Sequence, residues 1–410
     1  MPPEINCKSN AKNWGGGGAP ARLPTCGPLP SWQQYLRTLA QLATRAFSFR
    51  FARRCGWPTS PRAVTITITR RCNSRCQMCQ IWRLGRHAEE LSRQEIISFL
   101  SDPHFADLVE LDLTGGEPFL RPDLPQLVAE VVRLADRQLP RLRTLALATN
   151  GLEPRLINAV VRELLASIDG RFDLALVCSL DGLGPVHDRT RGVAGAFQRQ
   201  SDNIAGLQPL LTGRYPFRLG LKTTILPWNW QEIEGLRRFA QERGLFHILS
   251  PVLLTAERFR NLARREELDL LPGRRRDLLQ LYTSPELAQH YYAWAAADTL
   301  RRGRRRLACT AAWDHFFVEG DGRIFPCPVL PEVLGRIQTH TLSQILASPR
   351  RRQLAREAGR RPECALCLEP GCLRFSQASE GWSYLRYLLG PQPRRRWQLT
   401  SVQEGMDKYL

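Results

Sequence analysis

The stretch Ala63-Val64-Thr65-Ile66-Thr67-Ile68-Thr69-Arg70-Arg71-Cys72-Asn73-Ser74-Arg75-Cys76-Gln77-Met78-Cys79 decides the fold. Its first seven residues are β-branched or small and apolar, which is strand chemistry, and the cysteines follow at once in a CxxxCxxC spacing. From Ala63 to about Leu254 such runs alternate with longer helical patterns, the signature of βα units around a parallel sheet. Six strands are expected: Ala63 to Thr69, Leu108 to Leu113, Arg143 to Ala148, Asp173 to Ser179, Arg218 to Leu226 and Phe246 to Leu253. Helices are expected between them, as at Ser92 to Ser101, where Ser92 and Glu95 form a capping-box pattern, and at Leu124 to Leu134. The fold class is therefore α/β, a partial (β/α)6 TIM-type barrel followed by a small cysteine-rich α+β module.

Twelve cysteines in 410 residues, without an export signal, point to metal binding rather than to disulfides. Cys72, Cys76 and Cys79 offer three thiolates on one loop at the C-terminal edge of a strand, where active sites of βα barrels gather. Three thiolates hold three irons of a [4Fe-4S] cube and leave the fourth iron open for a ligand; electron-transfer clusters take four. Zinc is the alternative, but the loop supplies three ligands and His87 is the nearest histidine. A second group, Cys309, Cys327, Cys364 and Cys367, has enough thiolates to close another cluster, with a zinc ribbon as the alternative. Cys372 either replaces one of these four or stays free. Cys7, Cys26, Cys55 and Cys178 read as filler.

The CNSRCQMC loop resembles the cluster-binding motif of the radical S-adenosylmethionine (SAM) superfamily. Gly115-Gly116-Glu117-Pro118, at the exit of the second strand, is similar to the turn that receives the amino group of the SAM methionine. Thr149-Asn150-Gly151, Cys178-Ser179-Leu180-Asp181-Gly182 and His187-Asp188-Arg189-Thr190-Arg191-Gly192 extend the likeness toward the branch that holds the molybdenum-cofactor cyclase and peptide-maturing enzymes. By that likeness Ser179 approaches the SAM ribose or carboxylate, Met78 lies against the adenine, Thr149 borders the pocket, Glu117 accepts the ammonium, and Asn229 is a further pocket residue. The mechanism implied is one-electron reduction of SAM at the open iron, giving a 5'-deoxyadenosyl radical that abstracts substrate hydrogen. Cys309, twelve residues, Gly322, four residues and Cys327 resemble the opening of the SPASM domain. With five cysteines where that domain has about seven, and Ser376 where another is expected, the module looks like the shortened twitch form with a second [4Fe-4S] cluster.

The division expected along the chain is a disordered tail at 1–30, a basic amphipathic helix within 31–61, the barrel at 62–255, a helical Arg-rich connector at 256–306, the cysteine module at 307–380 and an extension at 381–410. In the N-terminal helix, Leu36, Leu39, Leu42, Ala43, Ala46 and Phe47 form the apolar stripe. A formal net charge of +19, carried mostly by arginine, attracts anions, so a polyanion or an anionic membrane surface joins the candidate partners. The others are a peptide or small-molecule substrate and a low-potential electron donor such as a flavodoxin or ferredoxin. No apolar run is long enough to cross a bilayer, and the cytoplasm is the expected compartment. Two other functional classes stay open: a basic zinc-ribbon protein that binds nucleic acid, and a radical SAM enzyme working on a lipid-linked substrate at a membrane. No general base can be named; Asp314, Glu319 and Asp321 read as solvated turn acids.

Overall fold

A computed structural model describes Leu29 and residues 31–57, 59–85, 89–403 and 405–409, so the tail expected at 1–30 falls almost wholly outside the described residues, as does His87. Six parallel strands, β1 (Ala63–Thr69), β2 (Glu110–Gly115), β3 (Thr144–Thr149), β4 (Asp173–Ser179), β5 (Phe217–Ile225) and β6 (Phe246–Pro251), lie side by side in chain order. The helices that follow them, α2 (Arg93–Leu100), α3 (Leu124–Arg137), α4 (Pro154–Ile168), α5 (Pro185–Arg191), α6 (Ala196–Leu207) and α7 (Ile233–Glu242), come after the N-terminal helix α1 (Trp32–Cys55). The capping box forms as read: Ser92 Oγ accepts from Glu95 N at 3.2 Å, and Glu95 Oε2 accepts from Ser92 N at 2.8 Å.

Alternation along the strands separates two surfaces. Leu111, Leu145, Leu147, Leu174 and Leu176 are buried against Leu127, Val131, Val161 and Leu164 of the helices, forming the main core. The opposite faces carry Thr65, Asp112, Ala146 and Ala175 in mutual register, small or polar groups that line the barrel interior. At the upper edge the register sets Ser179 of β4 beside Lys222 of β5 and Lys222 beside Ile248 of β6.

The cysteine-rich segment is joined to this sheet. β7 (His315–Val318) pairs in parallel with β1, then β8 (Arg323–Phe325) and β9 (Gly335–Arg336) continue antiparallel, giving a nine-stranded sheet. The Gly320 to Arg323 turn joins β7 and β8 as a hairpin, and Cys327 lies just beyond β8, after Pro326. Glu319 and Asp321 are ion-paired with Arg70 at 3.2 Å each, so the hairpin turn grips the chain two residues before Cys72; these acids are partnered, not solvated.

Two further expectations are corrected. Residues 256–264 are a loop with a short 3-10 turn, and regular helices begin at Arg265–Leu268, followed by Leu271–Tyr282 and Tyr291–Arg302. Asn261 explains the irregularity: its amide donates to Met78 O and Leu253 O, and its Oδ1 accepts from Thr255 N, a brace that a helix has no room for. In α1 the buried side is Tyr35, Thr38, Leu42, Ala46 and Phe49, while Leu36 and Phe47 face outward with Trp32 and Phe51. The helix packs on the aromatic cluster of Tyr291, Tyr384 and Tyr387, and Phe49 meets Trp313 edge-on, and these partners select the face. The last residues close the lower end of the barrel: Lys408 Nζ lies 2.5 Å from fully buried Glu110, which also binds Tyr409 Oη and Arg374.

Candidate active site

The CxxxCxxC loop leaves β1 and is held by three neighbouring loops. Arg75 N and Gln77 N donate to Arg191 O and Thr190 O at 2.8 and 3.0 Å, Gln80 N donates to Phe259 O, and Asn150 Nδ2 donates to Asn73 Oδ1 at 2.8 Å. Cys76 is buried, with Ser74 Oγ 3.2 Å and Arg191 Nη1 3.6 Å from its sulfur; Asn150 Nδ2 is 3.9 Å from Cys72 Sγ. Burial, then the neighbouring Cys76, pushes the Cys72 and Cys79 thiols up to about 12, so the site is built for a cation that replaces their protons. Thiols brought together beside the Arg191 cation fit an iron cluster held by Cys72, Cys76 and Cys79. Among the described residues no three donors close on a single metal-ion position.

Gly115 and Gly116 are required by contact with that loop. Gly115 has φ +145, and a Cβ there would stand 2.0 Å from Thr69 O; at Gly116 it would stand 2.2 Å from Arg71 O. The same strands of backbone are bonded, Gly116 N to Thr69 O and Glu117 N to Arg71 O. Pro118 is buried behind the turn. Glu117 is 1% exposed, and its oxygens accept from Thr149 Oγ1 at 3.0 Å, Phe119 N at 3.3 Å and Asn150 N at 2.6 Å. Desolvation pushes its carboxyl up to about 7. Glu117 thus clamps the GGEP turn to the Thr149-Asn150-Gly151 turn and does not face solvent. Its loss orphans buried donors, each worth roughly 1 to 3 kcal/mol. Glu117→Ala is therefore expected to raise the SAM dissociation constant about ten- to a hundredfold with iron content near normal, read by titrating SAM into the reduced protein; equal affinities would deny the clamp a part in binding.

Ser179 faces the barrel interior from the top of β4. Met78 is buried with Cys76, Leu226 and Leu268, bordered by Trp228, Val252 and Leu254, an apolar wall beside the cluster loop. Asn229 is fully buried: its Oδ1 accepts from Leu226 N, and its Nδ2 donates to Asp181 O and Thr224 O, so it braces the end of β5. The residue not given a role from sequence is Arg191. Its guanidinium reaches Asp181 Oδ2 at 2.6 Å as well as Cys76 Sγ, and both partners are buried. Asp181 N donates to His187 Nδ1 at 3.0 Å, and burial with the Arg191 charge keeps His187 neutral. The signal was the Arg in His187 to Gly192, whose partner is ten residues upstream.

The second group converges too. Cys309, Cys327, Cys364 and Cys372 share one buried cluster, with Cys367 beside it and more exposed. A hydrogen bond from Cys372 holds the Cys327 thiol below its usual range, which puts Cys372 inside the group. Arg305 is buried against Cys309, Cys367 and Cys372 and offsets thiolate charge. Five thiols and one cation fit a second cluster.

The radical SAM superfamily model matches residues 66–240, and the model of SPASM, an iron-sulfur cluster-binding domain, matches residues 309–372. Among curated proteins the AdoMet-dependent heme synthase of Methanosarcina barkeri is 26% identical over 317 residues, 70% of this chain and 82% of that protein. The chain spans about half the length of two further curated relatives. A solved structure of anSMEcpe with bound AdoMet aligns with TM-score 0.53 at 15% identity, covering 85% of this chain and 98% of that one. Streptococcus suis SuiB bound to precursor peptide SuiA aligns with TM-score 0.51 at 16% identity, over 73% and 67%. With two motif-bearing turns beside a three-cysteine loop, and a second cysteine group on the same sheet, the chain carries a radical SAM domain over residues 66–240 and a SPASM iron-sulfur domain over residues 309–372.

Proposed function

We propose that this radical SAM enzyme abstracts hydrogen from a peptide held in the barrel between its two cysteine sites, acting as an oxidoreductase or bond-forming maturase. The observation that carries the reading is placement: β7, in the cysteine-rich segment, pairs with β1, whose exit carries Cys72, Cys76 and Cys79, and Glu319 and Asp321 grip Arg70 beside that loop. Both cysteine groups therefore stand on one sheet that lines the barrel interior. When bound, a [4Fe-4S] cluster with an open iron supplies the electron that splits SAM into methionine and a 5'-deoxyadenosyl radical. The chain's own part is to hold and shield. Cys72, Cys76 and Cys79 would hold the first cluster, and four thiols of Cys309, Cys327, Cys364, Cys367 and Cys372 the second. The GGEP turn, Met78 and Ser179 would orient SAM, and the apolar wall of Leu226, Leu268 and Trp228 would keep water out. SuiB in complex with SuiA favours a peptide; the heme synthase, alike over 70% of the chain, favours a small heme-related substrate as the second reading.

Reconstituted protein is expected to bind about eight irons, as two cubes. Cys364→Ala/Cys367→Ala should lose about half of that iron and keep SAM cleavage uncoupled from substrate, because the barrel turns are complete without the module. Metal analysis with stoichiometric zinc, and iron unchanged in the variant, would refute the second cluster.

A further inference from the structure

The helix α1 is apolar on two sides. On one, Tyr35 and Leu42 are buried in a cluster with Tyr291, Tyr384 and Leu373, the neighbour of Cys372. The other runs Trp32, Leu36, Ala40, Ala43, Phe47 and Phe51, three or four residues apart, which is one line along a helix and spans about 28 Å. All six are exposed, Phe47 at 74%. The line is ordered by its own contacts: Phe47 stacks on Phe51 with ring centres 6.5 Å apart, and Trp57 meets Phe51 edge-on at 5.4 Å. Trp382 and Leu389, also exposed, widen it. The Arg50 guanidinium lies over the Trp382 ring at 5.2 Å, and Leu389 follows Leu388, whose carbonyl accepts from Tyr35 Oη. Most of the large apolar side chains left exposed among the described residues gather on this face, and a contiguous patch of that kind marks an interaction site.

The charge around the patch has one sign. Between Trp32 and Cys55 there is no acidic residue, and Arg37, Arg50 and Arg54 are exposed along or beside the line. At the C-terminal end Arg53 donates to Arg356 O at 2.7 Å, which brings up the arginines of the helix Pro349–Glu357. At the N-terminal end the Arg394 guanidinium lies over the Trp32 ring at 5.2 Å. A second copy of the chain would set these arginines against each other, with no acid on the helix to receive them. Leucine and alanine in the line give bases nothing to stack on, which disfavours single-stranded nucleic acid. A helix that turns aliphatic and aromatic side chains outward, with tryptophans at its ends and arginines reaching past them, suits the plane of a lipid-water interface: the rings sink to the acyl boundary and the guanidinium groups meet phosphates.

We propose that the outward face of α1, with Trp57, Trp382 and Leu389, docks the enzyme on an anionic lipid surface, the helix lying along the plane of the bilayer. The surface so covered is on the side of α1 opposite Leu373 and the second cysteine group. The proposal stands on this face alone and is independent of the radical SAM chemistry.

The test floats cluster-loaded full-length protein on a sucrose gradient with vesicles of equal parts phosphatidylcholine and phosphatidylglycerol, or of phosphatidylcholine alone. The wild type should rise with the charged vesicles, far less with the neutral ones, and be released by high salt. Phe47→Gln/Phe51→Gln should weaken partitioning into the charged vesicles about tenfold or more, and Arg50→Gln/Arg54→Gln about ten- to thirtyfold. Both pairs are exposed and outside the cysteine sites, so iron content and 5'-deoxyadenosine formed with dithionite should match the wild type and report folding. A wild type that stays at the bottom, variants that float equally well, or equal binding to neutral vesicles would overturn the proposal. A wild type that ignores vesicles but forms a dimer that Phe47→Gln/Phe51→Gln splits would overturn it in favour of a second copy, and one that captures single-stranded DNA instead would overturn it in favour of nucleic acid. Failure of the radical SAM reading shows separately, as a wild type that floats yet forms no 5'-deoxyadenosine.

Discussion

Alanine at any one of Cys72, Cys76 or Cys79 abolishes reductive cleavage of SAM, measured as 5'-deoxyadenosine formed with dithionite. The effect is near total because the loop has no substitute donor. Ser74 Oγ sits 3.2 Å from Cys76 Sγ but already donates to Arg191 O, and Asn150 Nδ2 is a donor that can only support a thiolate, never replace one. Two thiolates cannot hold a cube with one open iron. The variants should keep the barrel, since the core strands do not include the loop, and should keep the iron of the second group. A triple variant that still formed 5'-deoxyadenosine at the native rate would overturn the assignment of this loop.

The second large effect is expected at Arg191. Arg191→Met leaves Asp181, which has no exposed surface, without its cation, and removes the positive charge beside Cys76. Burial already pushes the Asp181 carboxyl up despite the attraction of Arg191, so without Arg191 it protonates or drags water inward. Breaking a buried pair by removing one partner costs roughly 3 to 5 kcal/mol. The loss should appear in urea unfolding, together with a fall in iron bound by the first site and loss of SAM cleavage. Arg191→Lys restores the charge but not the fork that reaches Asp181 and Cys76 at once, so it should recover stability in part and cleavage poorly. Unchanged stability and iron in Arg191→Met would mean that the guanidinium only fills space.

What was legible in the sequence was local. The six strands were found because β-branched and apolar runs bounded by polar turns persist whatever surrounds them, and Ala63 to Thr69 and Asp173 to Ser179 agree at both ends with β1 and β4. The three-thiolate loop was legible because its donors are neighbours in the chain. Register of Lys222 with Ser179, the grip of Glu319 and Asp321 on Arg70, and the reach of Arg191 to Cys76 were not, since each joins residues separated by tens to hundreds of positions whose distance only chain folding sets.

By itself, then, the sequence determined an α/β barrel edge bearing a three-cysteine loop, because periodicity and ligand spacing act over a few residues. Tertiary structure decided the rest. It chose which side of α1 is buried, since the aromatic cluster of Tyr291, Tyr384 and Tyr387 and the ring of Trp313 decide that face and the helix's own pattern does not. It brought Cys372 to Cys327 and joined the cysteine module to the barrel through β7 and β1, because the pairing partner of an edge strand is whatever chain arrives there. It also turned Glu117 from a free acceptor into a clamp, because a buried carboxylate takes whatever donors the neighbouring turn presents.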